Sequence, residues 1–411
     1  MFKQIEKGVC APQGFLANGV HCGVRKNKSK KDLSLIFSKE ECAAAAIYTQ
    51  NKVKGAPIAV TKAHLEDGKA HAMLCNSGNA NTCNLDGEEI AEKMCQIAAD
   101  ALNISAKDII IASTGVIGQP LPIEPIQKGM PELVAGLNEN GSFDAVTGIM
   151  TTDTFQKEVA IEFELGGKVC KMGGIAKGSG MIHPNMATML VFVTSDVSID
   201  SSVLAPALKE VADETFNMIS VDGDTSTNDT LSIMCNGLAG NEKIMGAGQD
   251  LDTFKEALRQ VCATLCRMLA KDGEGATKLL TCKVNNARSQ KDARAVAKSI
   301  ICSSLFKAAM FGNDANWGRV LCAIGYADAE YEVDKIDVAF QSNKGYIQVC
   351  ENGRGCNDGS ETGIDEEKAL AILKEDEIEI LVDLHDGEFN ATAWGCDLTY
   401  DYVKINGDYR T

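Results

Sequence analysis

Apolar residues recur along the chain with two different periods, and each period predicts a different kind of element. Residues 158–172 alternate between apolar and polar positions around Gly166 and Gly167, which predicts a β-hairpin with one apolar face. The short, continuously apolar run at 108–114 is typical of a buried strand. Alternation over residues 378–384 predicts a further strand.

Three other segments have apolar residues spaced three or four positions apart, as on one face of a helix. These positions are Ile90, Met94 and Ile97; Leu204, Leu208, Val211 and Phe216; and Phe254, Leu258, Val261, Leu265 and Leu269. Helices mixed with hairpins, without regular β-α-β alternation, predict an α+β fold in which helices cover sheets. At about 100–200 residues per domain, the 411 residues predict two or three lobes.

Composition and charge narrow the class of protein. Apolar residues make up 45% and charged residues 24% of the chain, which is ordinary for a globular protein. With a net charge of −17 and one short basic cluster at 25–31, the chain lacks the cationic face of a nucleic-acid-binding protein. No apolar run approaches the roughly 20 residues of a membrane span, and residues 1–15 lack a signal-peptide core. We therefore expect a soluble, cytoplasmic protein without nucleic-acid or membrane partners.

The cysteines do not form a metal or disulfide pattern. The sixteen cysteines are scattered, often within apolar segments, and no Cys-x-x-Cys pair occurs. None of the five histidines is paired at a metal-ligand spacing. This distribution predicts reduced, mostly buried thiols, with neither a disulfide scaffold nor a zinc site.

Several motif-like segments do not meet the requirements of the sites they suggest. The segment AKGSGM at 176–181 lacks the spacing of a phosphate-binding loop. The segment VDGDTSTNDT at 221–230 lacks the glycine and glutamate that a calcium-binding EF-hand loop needs. His183 lies close to Thr188 in sequence, but one nearby histidine does not establish a serine-type triad.

Thr188 lies where a loop rich in glycine, proline, asparagine and methionine meets the apolar, β-prone run 189–193. A threonine at the start of a chain can use its own α-amine, whose pKa is about 7.7–8.0, as the base that activates its hydroxyl. Thr188 gains that amine if its hydroxyl attacks the Ala187 carbonyl and water hydrolyses the resulting ester. These residues alone leave two readings open: a self-cleaving nucleophile, or a threonine placed by its β-propensity.

Nine segments spread along the chain share the motifs of one family. They are CAPQGFLANGV (10–20), NSGNAN (76–81), STGVIG (113–118), MTTDT (150–154), KGSGMIHPNMATML (177–190), SVDGDTSTNDT (220–230), DGEGATK (272–278), NDANWGR (313–319) and CDLTYDYVKINGDYRT (396–411). In this order they closely resemble the ornithine acetyltransferases, also called glutamate N-acetyltransferases of arginine biosynthesis. Two small departures are Ala308, where we expect threonine, and the NTCNLDG that follows NSGNAN.

The resemblance implies a self-cleaving enzyme with a layered α/β sandwich of the ornithine acetyltransferase type, similar to N-terminal-nucleophile enzymes. Cleavage between Ala187 and Thr188 would give an N-terminal fragment, 1–187, and a C-terminal fragment, 188–411. The family implies that the two fragments stay associated, normally as an α2β2 heterotetramer.

The resemblance also implies the site residues. Thr188 matches the nucleophile, and Thr114 and Gly115 match the pair that forms the oxyanion hole. The positions that match the family's substrate-binding residues are Thr154, Lys177, Thr188, Glu274, Asn406 and Thr411.

The implied reaction has two half-reactions. Thr188 takes the acetyl group from N-acetylornithine and releases ornithine, and the α-amine of glutamate then accepts the acetyl group to give N-acetylglutamate. Lys177 would pair with an α-carboxylate, Glu274 with the side-chain amine of ornithine, and Asn406 and Thr411 with a carboxylate. No metal or bound cofactor is implied, and the use of acetyl-CoA as a further donor stays open.

Two other functions stay open from the sequence. A related amidohydrolase or aminopeptidase would pass the acyl group to water, and a binding protein would have no acceptor. The match at Glu274 and the intact cleavage and oxyanion motifs favour the transferase. The segment YDYVKIN (400–406) is β-prone and predicts a strand that anchors the C-terminal tail, with the last residues closing over the Thr188 pocket.

Overall fold

The computed structural model describes residues 2–183, 189–357 and 363–408. The chain forms two compact units. The first comprises Met1–Gly178, Pro184–Phe216 and Thr225–Leu265, and the second comprises Ser179–His183, Asn217–Asp224 and Cys266–Thr411. Two units agree with the two or three predicted from length. The two compact units are defined by packing, whereas the predicted fragments 1–187 and 188–411 are defined by cleavage of one peptide bond. The boundaries of the units therefore differ from those of the fragments.

Strands and helices alternate irregularly along the described residues. The strands are β1 (Lys3–Ile5), β2 (Phe15–Val20), β3 (Leu33–Tyr48), β4 (Lys69–Asn79), β5 (Ile109–Val116), β6 (Lys157–Leu165), β7 (Lys168–Lys177), β8 (Leu190–Ser195), β9 (Ile219–Ser220), β10 (Thr230–Cys235), β11 (Leu279–Ala287), β12 (Asp337–Ser342), β13 (Gly345–Glu351), β14 (Arg354–Gly355), β15 (Glu377–Asp383) and β16 (Phe389–Cys396). The helices are α1 (Ala56–His64), α2 (Gly87–Leu102), α3 (Ile123–Ala135), α4 (Ser142–Ile149), α5 (Ser201–Glu214), α6 (Gln249–Lys271), α7 (Gln290–Cys302), α8 (Ser304–Phe311), α9 (Trp317–Gly325), α10 (Glu366–Leu373) and α11 (Tyr400–Gly407). The predicted α+β class is confirmed.

The first unit contains a nine-stranded mixed sheet. Its order is β1-β6-β7-β8-β10-β3-β4-β5, and β2 pairs with β3 outside this path. Most neighbours are antiparallel, but β8 runs parallel to β10 and β4 runs parallel to β5. Strand pairing therefore fixes where β5, β7 and β8 begin and end, and the candidate site described below includes residues at these strand ends.

Helices cover both faces of this sheet, and the apolar strand β5 shows why. Ile109 and Ile111 pack in a cluster with residues of α1, α2 and α3, whereas Ile110 and Ala112 pack in a second cluster with residues of α4. A strand buried on both faces needs apolar residues at successive positions rather than alternating ones. The prediction of a buried strand from the continuous apolar run at 108–114 is confirmed.

The other elements predicted before residue 272 are also present. β6 and β7 form the predicted hairpin across Gly166 and Gly167, and the apolar side chains of β6 are buried. The helical spacings correspond to α2, α5 and α6. Phe216 alone falls beyond its helix, in a 3-10 turn over Phe216–Met218.

The second unit contains a seven-stranded sheet in the order β14-β13-β12-β15-β11-β16-β9. Its central strands, β11 and β15, are parallel, and β16 pairs antiparallel with β11. The strand predicted at 378–384 corresponds to β15, in which alternate residues from Ile378 to Val382 are buried.

The strand predicted for the C-terminal tail is wrong, because residues 400–407 form helix α11. The Thr399 hydroxyl accepts a hydrogen bond from the Tyr402 backbone N–H at 3.3 Å, which caps the first turn. Asp401 in the first turn adds a favourable interaction with the helix dipole. These local interactions outweigh the β-propensity of tyrosine, valine and isoleucine, which depends strongly on packing against neighbouring strands.

All sixteen cysteines are free thiols, and eleven of them are buried, which confirms the prediction of mostly buried thiols. In the part of the chain that the structure describes, no helix has both the length and the apolar character to cross a membrane.

Candidate active site

The predicted site residues fall into three groups. Ala187, Thr188 and Thr411 lie outside the described residues. The other predicted positions are Thr114, Gly115, Thr154 and Lys177 in the first unit, and Glu274 and Asn406 in the second.

The head of β8 has a defined neighbour on each side. Leu190, its first residue, pairs with Lys177 of β7 and with Thr230 of β10. The Thr230 backbone N–H donates to the Met189 carbonyl oxygen at 3.0 Å. Neighbouring strands are about 4.8 Å apart, so the backbones of Lys177 and Thr230 lie beside the first residue of β8. This strand start follows Thr188 by two positions in the sequence.

Gly115 lies where β5 ends against β4, at an irregularity in the strand pairing. Its φ of +132° is rarely adopted by residues with a side chain. A Cβ at this position would lie 2.3 Å from the carbonyl carbon of Gly78 and 2.5 Å from the backbone nitrogen of Asn79. The motifs STGVIG and NSGNAN, which are distant in sequence, therefore form one close backbone contact.

Buried amides hold this strand end in place. The Ser113 hydroxyl donates to Asn76 Oδ1 at 2.6 Å. Asn228 Nδ2 donates to the carbonyl oxygens of Ser113 at 3.0 Å and Ala80 at 2.6 Å. Because buried polar groups form a connected network here, the backbone that presents Thr114 and Gly115 has little freedom.

Lys177 is the last residue of β7, and its ammonium reaches the predicted oxyanion pair. Its Nζ donates to Thr114 Oγ1 at 3.3 Å, and both side chains are buried. The pKa of Lys177 is lowered, mainly by burial, although the nearby Asp153 and Asp229 oppose the shift. The structure thus brings together two residues that the sequence analysis assigned to separate roles.

A buried ion pair supports this corner. Asp153 Oδ1 accepts hydrogen bonds from Lys157 Nζ at 2.6 Å and from the Gly178 backbone N–H at 2.7 Å. Asp153 Oδ2 accepts from the Thr151 N–H at 2.8 Å. Burial alone would raise the pKa of Asp153, but Lys157, Lys177 and the Gly178 N–H lower it to about 2. Asp153 is therefore ionised at neutral pH and fixes the backbone that follows Lys177.

Sequence reasoning selected Thr154 but missed its neighbour Asp153. Thr154 is exposed in the structure, whereas Asp153 is buried. The available signal was a charged pair at positions 153 and 157, just before the apolar residues of β6 that begin at Val159. A lysine and an aspartate at such a position bury only as a pair, but the sequence also permits both to be exposed.

Asp229 is a second carboxyl that sequence reasoning missed. It precedes the first residue of β10 and is buried, and its Oδ2 has no hydrogen-bond partner among the described residues. Burial raises its pKa well above the ordinary value, although a Ser226 hydrogen bond and the Lys177 charge oppose the shift. A buried, incompletely paired carboxyl is costly for folding and therefore rare. Because groups with strongly shifted pKa values cluster at functional sites, Asp229 is a candidate for a functional role.

In the second unit, Glu274 and Asn406 form a direct pair. Asn406 Nδ2 donates to Glu274 Oε2 at 2.8 Å, and the Glu274 N–H donates to the Ser179 carbonyl oxygen at 2.8 Å. A Cβ at Gly180 would lie 2.3 Å from Glu274 Oε2, so this carboxylate packs directly against glycine. The sequence analysis assigned Glu274 and Asn406 to different groups of the substrate, and the structure shows a direct hydrogen bond between them.

The segment SVDGDTSTNDT holds the backbone that leads to His183. Asp222 accepts hydrogen bonds from the backbone N–H groups of Met181 at 2.6 Å and Ile182 at 2.9 Å. His183 Nδ1 lies 3.1 Å from Ser220 Oγ. Burial and the Lys298 charge lower the pKa of His183 to about 4, so the ring is neutral at pH 7.

The groups around Thr114 in the first unit offer hydrogen-bond donors and the Lys177 ammonium. A hydroxyl, a strand-end backbone and a buried ammonium are suited to binding an oxyanion or a carboxylate. Within residues 2–183, 189–357 and 363–408, no group of three or more His, Cys, Asp or Glu side chains is arranged to hold a metal ion.

Comparisons with known proteins give the family of the chain. The model of the ArgJ family matches residues 16–411. The chain is 50% identical over 401 residues to the arginine biosynthesis bifunctional protein ArgJ of Caldanaerobacter subterraneus subsp. tengcongensis, a match that covers 97% of this chain and 98% of the relative. It is 48% identical over 398 residues to the arginine biosynthesis bifunctional protein ArgJ 1 of Clostridium acetobutylicum, covering 97% and 96%.

Solved structures with similar sequences were also found. The arginine biosynthesis bifunctional protein from Bacillus halodurans has 45% identity and a TM-score of 0.49, and the match covers 53% of this chain and 98% of that chain. The ornithine acetyltransferase from Mycobacterium tuberculosis, complexed with ornithine, has 32% identity and a TM-score of 0.42, with coverages of 46% and 100%.

Proposed function

The chain belongs to the ArgJ family, and on this premise we propose that it transfers an acetyl group from N-acetylornithine to glutamate in arginine biosynthesis. Because the relatives are named bifunctional, the proposal includes acetyl-CoA as a second acetyl donor. The observation that most supports acetyl transfer is the buried Lys177 ammonium, 3.3 Å from the hydroxyl oxygen of Thr114 beside Gly115. These groups provide the donors that an acyl-transfer oxyanion needs.

The proposed enzyme first cleaves itself. The Thr188 hydroxyl attacks the Ala187 carbonyl carbon, the bond to the Thr188 nitrogen breaks, and that nitrogen takes up a proton. Water then hydrolyses the ester and leaves Thr188 with a free α-amine. The products are fragments 1–187 and 188–411, which we propose remain together as an α2β2 heterotetramer.

Acetyl transfer then proceeds in two steps. The α-amine of Thr188 takes the proton of the hydroxyl, whose oxygen attacks the acetyl carbonyl of N-acetylornithine. The Thr114 hydroxyl and the Gly115 N–H stabilise the oxyanion, and ornithine leaves with the proton. The α-amine of glutamate attacks acetyl-Thr188 through an equivalent oxyanion, and N-acetylglutamate leaves.

Charge complementarity supports the proposed binding of substrate. Glu274 is a carboxylate that suits the side-chain amine of ornithine, and Asn406 donates to it and so restricts its orientation. Lys177 suits a substrate carboxylate, since an ammonium has three donors and two of them are not needed for Thr114. Thr154 and Thr411 complete the proposed set of substrate-binding residues.

The test is to replace the nucleophile. Thr188→Ala should give one uncut chain without transfer activity, whereas Thr188→Ser should cleave at least partly because serine keeps the hydroxyl. Denaturing gels should show two fragments for the wild type, and N-terminal sequencing of the larger should begin Thr-Met-Leu-Val.

The acceptor separates the transferase from a related hydrolase. In the wild type, N-acetylglutamate should form in step with ornithine when both substrates are present. Release of free acetate instead would indicate an amidohydrolase. An intact wild-type chain with full activity, or an active Thr188→Ala variant, would rule out the acetyl-threonine mechanism.

A further inference from the structure

We propose that Lys177 is a positioning residue that acts through Thr114, holding the Thr114 hydroxyl so that its hydrogen points toward the developing oxyanion. The inference rests on the proposed acetyl transfer and gives Lys177 a role in the transition state, beyond binding a substrate carboxylate.

The donor and acceptor inventory of the two groups supports this assignment. A threonine hydroxyl has one O–H donor and two acceptor lone pairs, whereas a lysine ammonium has three donors and no acceptor. At a separation of 3.3 Å, Lys177 Nζ donates to Thr114 Oγ1. This bond occupies a lone pair of the hydroxyl and directs its hydrogen away from Lys177. A hydroxyl without such a partner rotates freely and can donate to any nearby acceptor instead of to the oxyanion.

Rigid elements fix both ends of this contact. Thr114 lies in β5, and Lys177 ends β7, where it pairs with Leu190 of β8. The backbone just after Lys177 is held by the hydrogen bond from the Gly178 N–H to Asp153 Oδ1 at 2.7 Å. Donors placed on paired strands retain their geometry better than donors on loops, as an oxyanion hole requires.

Burial makes the orientation of this hydroxyl important. Both Thr114 and Lys177 are 9% exposed, so little water competes for their hydrogen bonds. Electrostatic interactions are stronger at such a site than in water. A misdirected Thr114 hydroxyl would therefore cost the transition state a donor that solvent could not replace.

The charge on Lys177 determines the direction of the hydrogen bond. An ammonium can only donate, whereas a neutral amine can accept the Thr114 hydrogen and withdraw it from the oxyanion. Burial, the largest effect, and the neighbouring Lys157 charge lower the pKa of Lys177, whereas the ionised Asp153 opposes them and favours the ammonium. Asp153 itself pairs directly with Lys157 at 2.6 Å. Asp153 therefore acts on Lys177 through its charge, whereas Lys177 Nζ forms a direct hydrogen bond with Thr114 Oγ1 at 3.3 Å.

A double-mutant cycle measures whether Lys177 acts through Thr114. Thr114→Ala removes one oxyanion donor and should lower kcat about 100-fold or more. In the wild-type background, Lys177→Met should lower kcat at least tenfold, but by no more than Thr114→Ala does. Once Thr114 is alanine, Lys177→Met should lower kcat by less than threefold. Lys177→Gln keeps a side-chain N–H donor and should recover part of the activity that Lys177→Met loses.

The KM values separate this inference from the proposed function. If Lys177 also binds a substrate carboxylate, Lys177→Met raises KM by the same factor in both backgrounds. The inference concerns only kcat, and it is wrong if the kcat losses of Lys177→Met and Thr114→Ala multiply, as they do for independent groups. A cleaved wild type without transferase activity would contradict the proposed function but not the inference about Lys177. In that case the same double-mutant cycle is measured on the rate of self-cleavage, a reaction that also forms an oxyanion.

Lys278→Met is the matched control. Lys278 is a buried lysine of the second unit that donates to the Met310 carbonyl oxygen at 2.7 Å. Lys278→Met should lower thermal stability. Any loss of kcat that it causes should multiply with the loss caused by Thr114→Ala, as expected for independent groups. If Lys177→Met does not give folded protein, Lys177→Gln takes its place in the cycle. Multiplying losses for Lys177→Gln and Thr114→Ala would equally overturn the inference.

Discussion

Asn406 Nδ2 donates a hydrogen bond to Glu274 Oε2 at 2.8 Å, joining two residues that are 132 positions apart in the chain. The same Nδ2 also donates to the Tyr402 carbonyl oxygen at 3.1 Å, which holds the amide against helix α11. Gly275 permits this approach, because a Cβ there would lie 2.6 Å from the backbone nitrogen of Tyr402. The C-terminal helix therefore fixes the orientation of the Glu274 carboxylate.

We expect Asn406→Leu to raise the KM for N-acetylornithine about tenfold, because a hydrogen bond to a charged group contributes about 1.5–3 kcal/mol. Deleting residues 406–411 should reduce acetyl transfer further, while self-cleavage continues because it uses only the chain's own peptide bond. Steady-state kinetics and fragment formation measure the two effects. Lys404→Ala, on an exposed position of the same helix, is the control. An unchanged KM in Asn406→Leu would remove this residue from the site.

We expect Gly115→Ala to lower kcat by about 100-fold, because a shift of about 1 Å in an oxyanion donor has effects of this size. The added Cβ would meet the Gly78 carbonyl carbon at 2.3 Å, so the strand end must move. Gly118→Ala in the same motif is the matched control. Gly118 has a φ of +76° with nothing within 4 Å of an added Cβ, so it should cost roughly 1–2 kcal/mol of stability with little loss of kcat. Equal kinetics in the two variants would contradict the close contact at Gly115.

Asp153→Asn should destabilise the folded protein by about 3–5 kcal/mol, because it leaves the Lys157 ammonium buried without its counter-charge. Both side chains of the pair are 0% exposed, so solvent screens the interaction little. Denaturant unfolding of the Thr188→Ala chain measures the effect without interference from cleavage. Asp144→Asn is the control, because the Asp144–Lys31 pair is partly exposed and should contribute at most about 1 kcal/mol. Similar losses in both variants would argue against a buried pair.

The stability of the protein should also depend on pH through Asp153. Its pKa of about 2 in the folded state lies below the ordinary 3.8. A carboxyl with a lowered pKa stabilises the fold above the unfolded-state pKa, and that contribution, about 2 kcal/mol here, is lost as the pH falls from about 4 to about 2. The stability difference between Asp153→Asn and its parent should therefore shrink over this range. A difference that is constant from pH 6 to pH 2 would contradict the lowered pKa.

Asp222→Ala should slow self-cleavage about tenfold or more and cost about 1–3 kcal/mol of stability, because two backbone N–H groups before His183 lose their acceptor. Asp222 accepts from Met181 at 2.6 Å and from Ile182 at 2.9 Å, on the segment that continues to the proposed scissile bond. Asp224→Ala, an exposed aspartate of the same motif, is the control. Time courses of fragment formation in freshly purified protein give the rates. Equal rates for the two variants would show that Asp222 does not position the segment for cleavage.

Hydrophobic periodicity correctly predicted the α+β class and seven elements, β5, β6, β7, β15, α2, α5 and α6. The β6–β7 hairpin follows from alternation around Gly166-Gly167, and β5 follows from an apolar run that both faces of a sheet can bury. The wrong prediction at α11 came from using β-propensity without knowing the neighbouring elements. β-prone residues favour a strand only where a neighbouring strand is available, and the hydrogen bond from the Tyr402 N–H to the Thr399 hydroxyl stabilises a helix instead.

The sequence by itself selected the candidate site residues, because motifs such as STGVIG and DGEGATK are local and their residue types are specific. Only the tertiary structure decided which of them meet. Lys177 and Thr114 are 63 positions apart, on strands β7 and β5 that are not neighbours in the sheet, so strand pairing alone does not predict their contact. Packing likewise decided the burial of Asp153 with Lys157 and left Asp229 Oδ2 without a hydrogen-bond partner among the described residues. Periodicity specifies which face of an element is buried, but strand pairing specifies its neighbours, and the pKa of a side chain depends on those neighbours.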